Sequence, residues 1–274
     1  MIPKDFITEW REEAPWATDE QVEQDLVISR AVAEIFRVQH LAGRLACRGG
    51  TAIFKLYLRP AARYSEDIDL VQTTAEPIGE TFDALKAVLD PWLGEPRRVL
   101  KQGRVNLVYR YTSEGTPARI MKLKIEINSR EHFTELGHIS VPFEVASRWW
   151  SDSAKVTTFE LDELLATKLR ALYQRKKGRD LFDLWYALHR GAADPTRVIG
   201  CLQRYMLESG FGISRAVFEE NLVKKLWDPV FRADMTPLLR AGIEWDIDRA
   251  GEAVQKALLA RLPGEPWKGA ENQS

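Results

Sequence analysis

The sequence predicts an α+β protein with a mixed α/β first half and an all-helical second half. Short segments at 66–72, 105–111 and 120–128 have the alternation or apolar content of β-strands. Apolar residues recur at helical spacing over 19–46 and again from Thr158 onward. The chain has 274 residues, 45% of them hydrophobic. It is therefore long enough for one large domain or two smaller ones.

The first elements follow from local patterns. The spacing of apolar residues predicts one long amphipathic helix over 19–46, with Thr18 or Asp19 at its start. Two glycines then predict a turn at 48–51. The apolar segment 52–58 after the turn fits a short helix or a strand.

The next strand carries the feature on which the functional hypothesis depends. Alternation over 66–72 places Ile68 and Leu70 on one face of a strand and Asp67 and Asp69 on the other. The pattern then predicts a helix over 77–94 and two clear strands over 105–111 and 120–128, with a hairpin connection at 115–117. A weaker third strand is predicted near 134–141 or just beyond it. After the helix that starts near Thr158, Gly178 predicts a stop and 180–189 a new helix.

Composition excludes several classes of protein. The formal net charge is −1, so any contact with nucleic acid would need a local basic patch. The chain has two cysteines that are far apart in the sequence, so we expect neither a disulfide framework nor a zinc site. The N-terminal residues lack the apolar core of a signal peptide, and charges interrupt every apolar stretch before it could cross a membrane. We therefore expect a cytoplasmic protein with no membrane partner.

Asp67 and Asp69 form a candidate metal site. Two residues apart on a strand, their Cα atoms are about 7 Å apart and their side chains point the same way. Carboxylates on one face repel each other unless a cation lies between them. Mg²⁺, or Mn²⁺ in its place, commonly binds one or two carboxylates together with substrate phosphates. The alternative is a solvated strand edge.

Three further positions are candidates beside this pair. The turn Gly49-Gly50-Thr51 could offer backbone N–H groups to a triphosphate, or it is a plain tight turn. Ser65 could bind phosphate or hold the loop, or it only starts the strand. Glu126 would join the aspartates if its strand pairs with theirs. It would then complete the metal site or deprotonate an attacking hydroxyl, whereas otherwise it belongs to an outward polar face.

Lys168 occupies a position where the helical pattern predicts an apolar residue. Lysines seldom lie on a buried stripe without a partner, so it is a candidate for contact with a triphosphate. The alternative is a lysine whose stem is buried and whose charged end reaches solvent.

A basic cluster follows Lys168. It is a candidate surface for an acidic substrate such as RNA, and the alternative is a solvated helix end. Asp180 and Asp183 are candidate functional carboxylates, although an N-cap and its capping-box partner would also explain them. The cations of the cluster are Arg170, Arg175, Lys176, Lys177 and Arg179.

Four motifs in this order resemble the AbiEii/AbiGii toxin family, the nucleotidyltransferase-like toxins of bacterial toxin–antitoxin and phage-defence systems. The mycobacterial MenT toxins belong to the same group. The resemblance covers about residues 45–190, and the ordered set is more specific than any one motif. The motifs are Gly49-Gly50-Thr51-Ala52, Arg63-Tyr-Ser65-Glu66-Asp67-Ile68-Asp69-Leu70, Lys168-Leu-Arg-Ala-Leu172 and Arg179-Asp180-Leu-Phe-Asp183-Leu-Trp185.

The resemblance implies a polymerase-β-like nucleotidyltransferase core over 1–155, a mixed sheet with flanking helices. It implies a helical domain over 156–274 that contributes Lys168 and Asp180 or Asp183 to the cleft. Asp67 and Asp69 would be metal ligands beside Ser65, and Lys168 would contact the nucleotide. One departure is Gly-Gly-Thr where many nucleotidyltransferases have Gly-Ser, which leaves open which residue touches the β- and γ-phosphates.

The implied activity is transfer of a nucleoside monophosphate from an NTP to RNA, most specifically to the 3′ end of tRNA, which inhibits translation. A cognate antitoxin is the implied protein partner. Two alternatives stay open at this point. The acceptor could be a protein hydroxyl, or the chain could be a non-catalytic module that binds nucleotide or a partner. The presence of Asp67, Asp69, Glu126 and Lys168 together argues against the second.

Overall fold

The computed structural model describes residues 2–101, 104–115 and 117–269. The chain forms two compact units. The first contains the residues up to Phe159 together with Leu239–Ala241. The second contains Glu160–Leu238 and the residues from Gly242 onward.

A seven-stranded mixed sheet forms the centre of the first unit, in the order β3-β4-β5-β2-β1-β7-β6. The pairs β1–β7 and β2–β5 are parallel, and the other neighbours are antiparallel. The predicted α+β class with a mixed sheet is confirmed. The strands are β1 (Leu45–Arg48), β2 (Asp67–Gln72), β3 (Arg97–Lys101), β4 (Arg104–Thr112), β5 (Ile120–Asn128), β6 (His138–Ala146) and β7 (Ser151–Phe159).

The α-helices of the first unit, over the part of the chain that the structure describes, are α1 (Lys4–Trp10), α2 (Asp19–Arg37), α3 (Gln39–Arg44), α4 (Gly49–Ala52) and α5 (Gly79–Leu93). A π-helical turn, Ile53–Tyr57, continues α4, so of the two possibilities for 52–58 the helix is the one observed. Thr18 caps α2 in a capping box with Gln21. The Thr18 hydroxyl oxygen accepts a hydrogen bond from the backbone N–H of Gln21. This N–H would otherwise have no partner in the first turn of the helix.

The prediction of one helix over 19–46 is wrong. The chain is extended at Val38, with φ −81° and ψ 109°, and Leu45 and the residues after it belong to β1. Leu45, Ala46 and Cys47 are all buried, and β1 lies in the interior of the sheet between β2 and β7. The sequence of a strand that is buried on both faces is a short run of apolar residues. Such a run has no periodicity that distinguishes it from part of a buried helix.

The other predicted elements of the first half are confirmed, with β6 just beyond the range 134–141. The antiparallel pairing of β4 and β5 fits the predicted hairpin, although Thr116 of its connection lies outside the described residues. Besides β1, the strands β3 and β7 were missed. The outer strand β3 is rich in arginine and lysine, as edge strands often are. In β7, serine, aspartate and lysine obscure the buried positions Val156 and Phe159.

The second unit is helical. Its helices are α6 (Leu161–Gln174), α7 (Gly178–His189), α8 (Pro195–Glu208), α9 (Arg215–Leu226), α10 (Pro229–Ala233) and α11 (Ile247–Ala257). Gly178 opens α7, whereas the sequence predicted a helix stop there. A Cβ atom at Gly178 would lie 2.4 Å from the carbonyl oxygen of Phe231, so backbone proximity requires this glycine. Within the described ranges of the chain, no helix has both the length and the apolar character needed to cross a bilayer.

Candidate active site

The pairing of β2 with β5 brings the predicted carboxylates to one face of the sheet. Asp69 lies opposite Glu126, and Asp67 lies opposite Lys124. Ile68 and Leu70 are buried beneath them, whereas Asp67 and Asp69 are partly exposed. The condition that the sequence set for Glu126, pairing of its strand with that of the aspartates, is therefore met.

Lys124 lies on this face, and no functional role was assigned to it from the sequence. Its Nζ lies 3.3 Å from Oδ2 of Asp67 and 2.9 Å from Oε2 of Glu126. The other oxygen of Glu126 accepts a hydrogen bond from Arg104 at 2.9 Å. The alternation of β5 already placed Lys124 beside Glu126, but only the strand register shows that it also reaches Asp67.

The charges on this face shift one another's protonation. Burial raises the pKa of Asp67 above its usual value, Lys124 offsets part of the rise, and Asp69 adds to it. Burial would also raise the pKa of Glu126, yet the hydrogen bond and charge of Lys124, with help from Arg104, lower it. Burial disfavours the charged form of Lys124, but Glu126 and Asp67 outweigh this and raise its pKa. The lysine therefore acts as an internal counter-ion for two carboxylates.

Side chains of neighbouring residues lie so close to Gly49 and Gly50 that neither position has room for a Cβ atom. Gly49 has φ +74°, and a Cβ atom there would lie 2.2 Å from Oδ2 of Asp69. A Cβ atom on Gly50 would lie 2.3 Å from the guanidinium of Arg63. Arg63 itself is buried and lies 4.9 Å above the ring of Phe54. The glycine turn is thus shaped around the Asp69 carboxylate, and its second glycine makes room for an arginine that the sequence did not single out.

Thr51 and Ser65 connect the glycine turn to β2. The Thr51 hydroxyl donates to the carbonyl oxygen of Asp67 at 2.6 Å and lies 2.8 Å from Oγ of Ser65. Thr51 has one hydroxyl proton, and it goes to the Asp67 carbonyl, so Ser65 donates to Thr51. Ser65 therefore has the loop-holding contact that was one of its predicted roles.

The residues present fit a divalent cation held by two carboxylates. Asp67 and Asp69 offer oxygen ligands on one partly exposed face, and the remaining ligands of Mg²⁺ are usually water and substrate phosphate oxygens. Across the described residues, no three histidine, cysteine, aspartate or glutamate side chains are arranged to hold a metal by themselves. Glu126 lies next to Asp69, but both of its oxygens are engaged by Lys124 and Arg104.

In the second unit, Lys168 lies in a buried ionic cluster between α6 and α7. Its Nζ lies 3.2 Å from Oδ1 of Asp180 and 2.9 Å from Oδ2 of Asp183, and both aspartates are fully buried. Arg175 donates two hydrogen bonds to Asp180, at 2.7 and 2.9 Å. Burial would raise the pKa of Asp180, but Lys168 and Arg175 lower it.

The contacts of this cluster rule out two of the alternatives for Lys168 and Asp180. Lys168 does not reach solvent, because its side chain is 7% exposed. Asp180 is not a cap, because Lys177 precedes the first residue of α7 and no side chain caps that helix. The aspartates instead face α6 one turn apart, where they neutralise the lysine on its apolar stripe.

Each cation of the predicted basic cluster contacts an acidic or aromatic side chain of the second unit. Arg175 pairs with Asp180, and Lys176 lies 2.9 Å from Asp228. Lys177 and Arg179 both contact Asp234, at 3.6 and 3.2 Å. Arg170 lies 4.9 Å above the ring of Tyr205. The five cations thus have partners of their own, so their density in the sequence overstates the positive charge available to RNA.

Comparison with known protein families gives a match. A family model described as "Nucleotidyl transferase AbiEii toxin, Type IV TA system" matches residues 30–253. No curated protein sequence gives a significant match.

Solved structures share the fold at low sequence identity. The nucleotidyltransferase toxin MenT4 of Mycobacterium tuberculosis superposes with a TM-score of 0.67 at 17% identity, covering 96% of this chain and 91% of its own. A structure from H. pylori described as a "putative nucleotidyltransferase" has a TM-score of 0.57 at 17% identity over 88% of this chain and 93% of its own. JHP933 from Helicobacter pylori has a TM-score of 0.53 at 16% identity over 88% and 90%.

Proposed function

Because the chain belongs to the AbiEii family of nucleotidyl transferase toxins, we propose that it transfers a nucleoside monophosphate from an NTP to RNA. The proposed acceptor is the 3′ end of tRNA, and the consequence is inhibition of translation in the cytoplasm. The observation that carries the proposal is the shared face of Asp67, Asp69 and Glu126, set by the β2–β5 register. A cognate antitoxin and a role in phage defence follow from the family as further proposals.

Asp67 and Asp69 are the proposed ligands of Mg²⁺ or Mn²⁺. The bound cation would neutralise charge that develops on the phosphates during in-line attack by the acceptor hydroxyl on the α-phosphate. The Asp69 carboxylate lies close to Gly49, and the Thr51 hydroxyl anchors the backbone of Asp67. This anchoring of β2 beside the glycine turn supports a mechanism in which catalysis is mostly positioning and electrostatics.

Gly49, Gly50 and Thr51 are the proposed phosphate-binding residues, with Ser65 behind them. α4 begins at Gly49, and the first N–H groups of a helix have no partner within it. Ser65 donates to Thr51, which supports a role in shaping the loop more than one in direct contact with phosphate.

Glu126 is better suited to positioning than to general-base catalysis. A base must accept a proton, yet the pKa of Glu126 is lowered by Lys124 and Arg104, which makes it a weaker proton acceptor. We propose that Lys124 neutralises Asp67 and Glu126 before the cation binds and then contacts a phosphate oxygen of the nucleotide. Contact between Lys168 and the nucleotide is a further proposal that rests on the family resemblance, while its buried ion pairs with Asp180 and Asp183 support a role in holding α6 against α7.

The test is incubation of the purified protein with each labelled NTP and total tRNA, with and without Mg²⁺. We expect label on tRNA only with Mg²⁺. Asp67→Asn and Asp69→Asn should each lower transfer by at least about 100-fold, since a metal ligand is lost. The matched control is Asp83→Asn, which removes an exposed carboxylate from α5 and should leave transfer unchanged.

Three results would contradict the proposal. Wild-type transfer by a folded Asp67→Asn protein would refute the metal assignment. Label that appears on protein in a lysate, with none on RNA, would favour a protein hydroxyl as acceptor. No consumption of NTP with any acceptor would favour a non-catalytic binding module.

A further inference from the structure

The second unit has an open cavity of about 600 Å³ that none of the proposed catalytic residues lines. One wall is the C-terminal end of α7 with residue 190, and the other is the segment 242–246 with Arg249 of α11. Asp180 and Asp183 lie on the same helix α7 but face α6, whereas Trp185 and His189 lie one turn apart on its opposite side. The volume is in the range of about 300–1,000 Å³ that is usual for small-ligand sites.

Flat aromatic side chains line this cavity. The rings of Trp185 and His189 are stacked, with centroids 5.3 Å apart and planes 16° from parallel. Trp245 meets Trp185 edge to face at 5.4 Å, and the buried Phe182 lies behind both. Trp185 and Trp245 are both partly exposed. Partly exposed, well-supported rings of this kind are the platforms on which unpaired nucleobases stack.

Charged groups surround the aromatic platform. Arg190 and Arg249 line the cavity, and both are exposed. Arg190 forms no ion pair with another residue of the described segments, and Arg249 has one weak contact, 3.7 Å from Asp246. Glu244 and Asp246 complete the rim. Arginines suit phosphate, whereas carboxylates can accept hydrogen bonds from the amino group of a base.

We propose that this cavity binds one unstacked nucleotide of the RNA acceptor strand. The base packs on Trp185 and Trp245, and Arg190 and Arg249 contact the adjoining phosphate. The inference rests on the proposed function and deepens it, because it assigns RNA binding to a place other than the predicted basic cluster. Unlike the cations of that cluster, these two arginines line a cavity beside partly exposed tryptophan rings.

The test is fluorescence anisotropy of a labelled single-stranded RNA with the full chain, without NTP or metal, so that binding is separated from catalysis. We expect Arg190→Glu and Arg249→Glu each to weaken binding at least about fivefold. Trp185→Leu, which keeps the cavity filled with an apolar side chain, should weaken it about fivefold or more, since one stacking contact is lost. The charge variants alter exposed side chains, so they should fold even if Trp185→Leu does not.

Two controls match these variants. Trp227→Ala removes a tryptophan that is 82% exposed elsewhere in the unit, and Lys256→Glu reverses an exposed charge two turns further along α11. Both should bind RNA like wild type. Equal losses in Lys256→Glu and Arg249→Glu would overturn the assignment, because binding would then depend only on overall charge.

The remaining outcomes also decide the question. If Arg190→Glu and Arg249→Glu weaken the binding of free NTP as much as that of RNA, the cavity is a nucleotide site and the RNA assignment fails. If the wild type transfers label to tRNA and the cavity variants bind RNA normally, the cavity proposal fails while the proposed function stands. If the wild type neither binds nor modifies RNA, both fail.

Discussion

At the scale of single residues, Lys124 is a partly exposed counter-ion within the acidic face of β2 and β5. It neutralises Asp67 and Glu126 at 3.3 and 2.9 Å, so it competes with any cation that Asp67 would bind. In Lys124→Met this competitor is gone. We expect Mn²⁺ to bind roughly three- to tenfold more tightly in the absence of nucleotide, in keeping with the modest strength of part-exposed ion pairs.

The Lys124 prediction can be checked by titrating Mn²⁺ and following its electron paramagnetic resonance signal. Lys122→Met is the matched control, because Lys122 lies on the same face of β5 but is exposed. Its Mn²⁺ affinity should equal that of wild type. Weaker Mn²⁺ binding by Lys124→Met would mean that the lysine supports the metal site instead of competing for it.

Lys225 gives a pH-dependent prediction. It is buried, and its ammonium donates to the carbonyl oxygens of Leu172 and Tyr173 at the end of α6. Burial lowers its pKa from 10.5 to about 8, with Asp180 opposing and Lys176 assisting. Between these values the unfolded chain binds a proton that the folded protein has lost, so stability rises with pH.

We therefore expect Lys225 to add up to about 1.4 kcal/mol of stability per pH unit between pH 8 and pH 10. Urea unfolding of wild type and Lys225→Met at several pH values measures this. The difference between the two should shift in favour of wild type as pH rises. The trend is compared with that of Lys224→Met, which substitutes an exposed neighbour. A constant difference for Lys225→Met would contradict the prediction.

At the scale of elements, the contact between α6 and α7 is both ionic and buried. Lys168 bridges two fully buried aspartates, and Arg175 satisfies one of them. Removing one partner from such a cluster leaves an uncompensated buried charge. The pairing of these helices therefore depends on a few charges as well as on the leucines of the α6 stripe.

Asp180→Ala should lower the free energy of unfolding of the second unit by about 3–5 kcal/mol. The contrasting variant is Lys176→Ala, whose ion pair with Asp228 is formed by a lysine that is 67% exposed. It should cost at most about 1 kcal/mol. Chemical unfolding followed by tryptophan fluorescence distinguishes the two. Equal losses would show that the buried cluster has no special weight.

At the scale of the whole molecule, the division into two units falls at the end of β7. The sequence placed the domain boundary after residue 155, which is inside that strand. Val156 and Phe159 are buried, and the Thr158 hydroxyl donates to the carbonyl oxygen of Cys47 at 2.7 Å. The segment Leu239–Ala241 also belongs to the first unit, where Arg240 donates from its backbone to Ala62.

A fragment that ends at residue 155 should consequently be less stable than one that ends at 159. Loss of the buried Phe159 side chain alone is expected to cost about 3–5 kcal/mol. The midpoints of urea unfolding of the two fragments, with soluble yield as a second measure, test this. Equal midpoints would mean that the end of β7 contributes little to the first unit.

Local patterns were sufficient for much of this protein. The alternation of apolar and polar residues in β2 and β5 placed Asp67, Asp69 and Glu126 on the faces opposite the buried ones. The apolar stripe of α6 showed that Lys168 is a lysine at a position where an apolar residue is expected. The ordered motifs determined the family. These features are encoded within a few residues of one another, or in their order along the chain, so they can be recognised without knowledge of long-range contacts.

Only the tertiary structure decided which of these residues meet. The position of Asp69 beside Glu126 and the reach of Lys124 to Asp67 depend on strand register, which no local pattern contains. The partners of Lys168 and of the basic cluster lie on other helices, so their neutralisation could not be inferred from charge density. The acidic pair and the exceptional lysine were therefore determined by sequence, whereas their counter-ions were decided by packing.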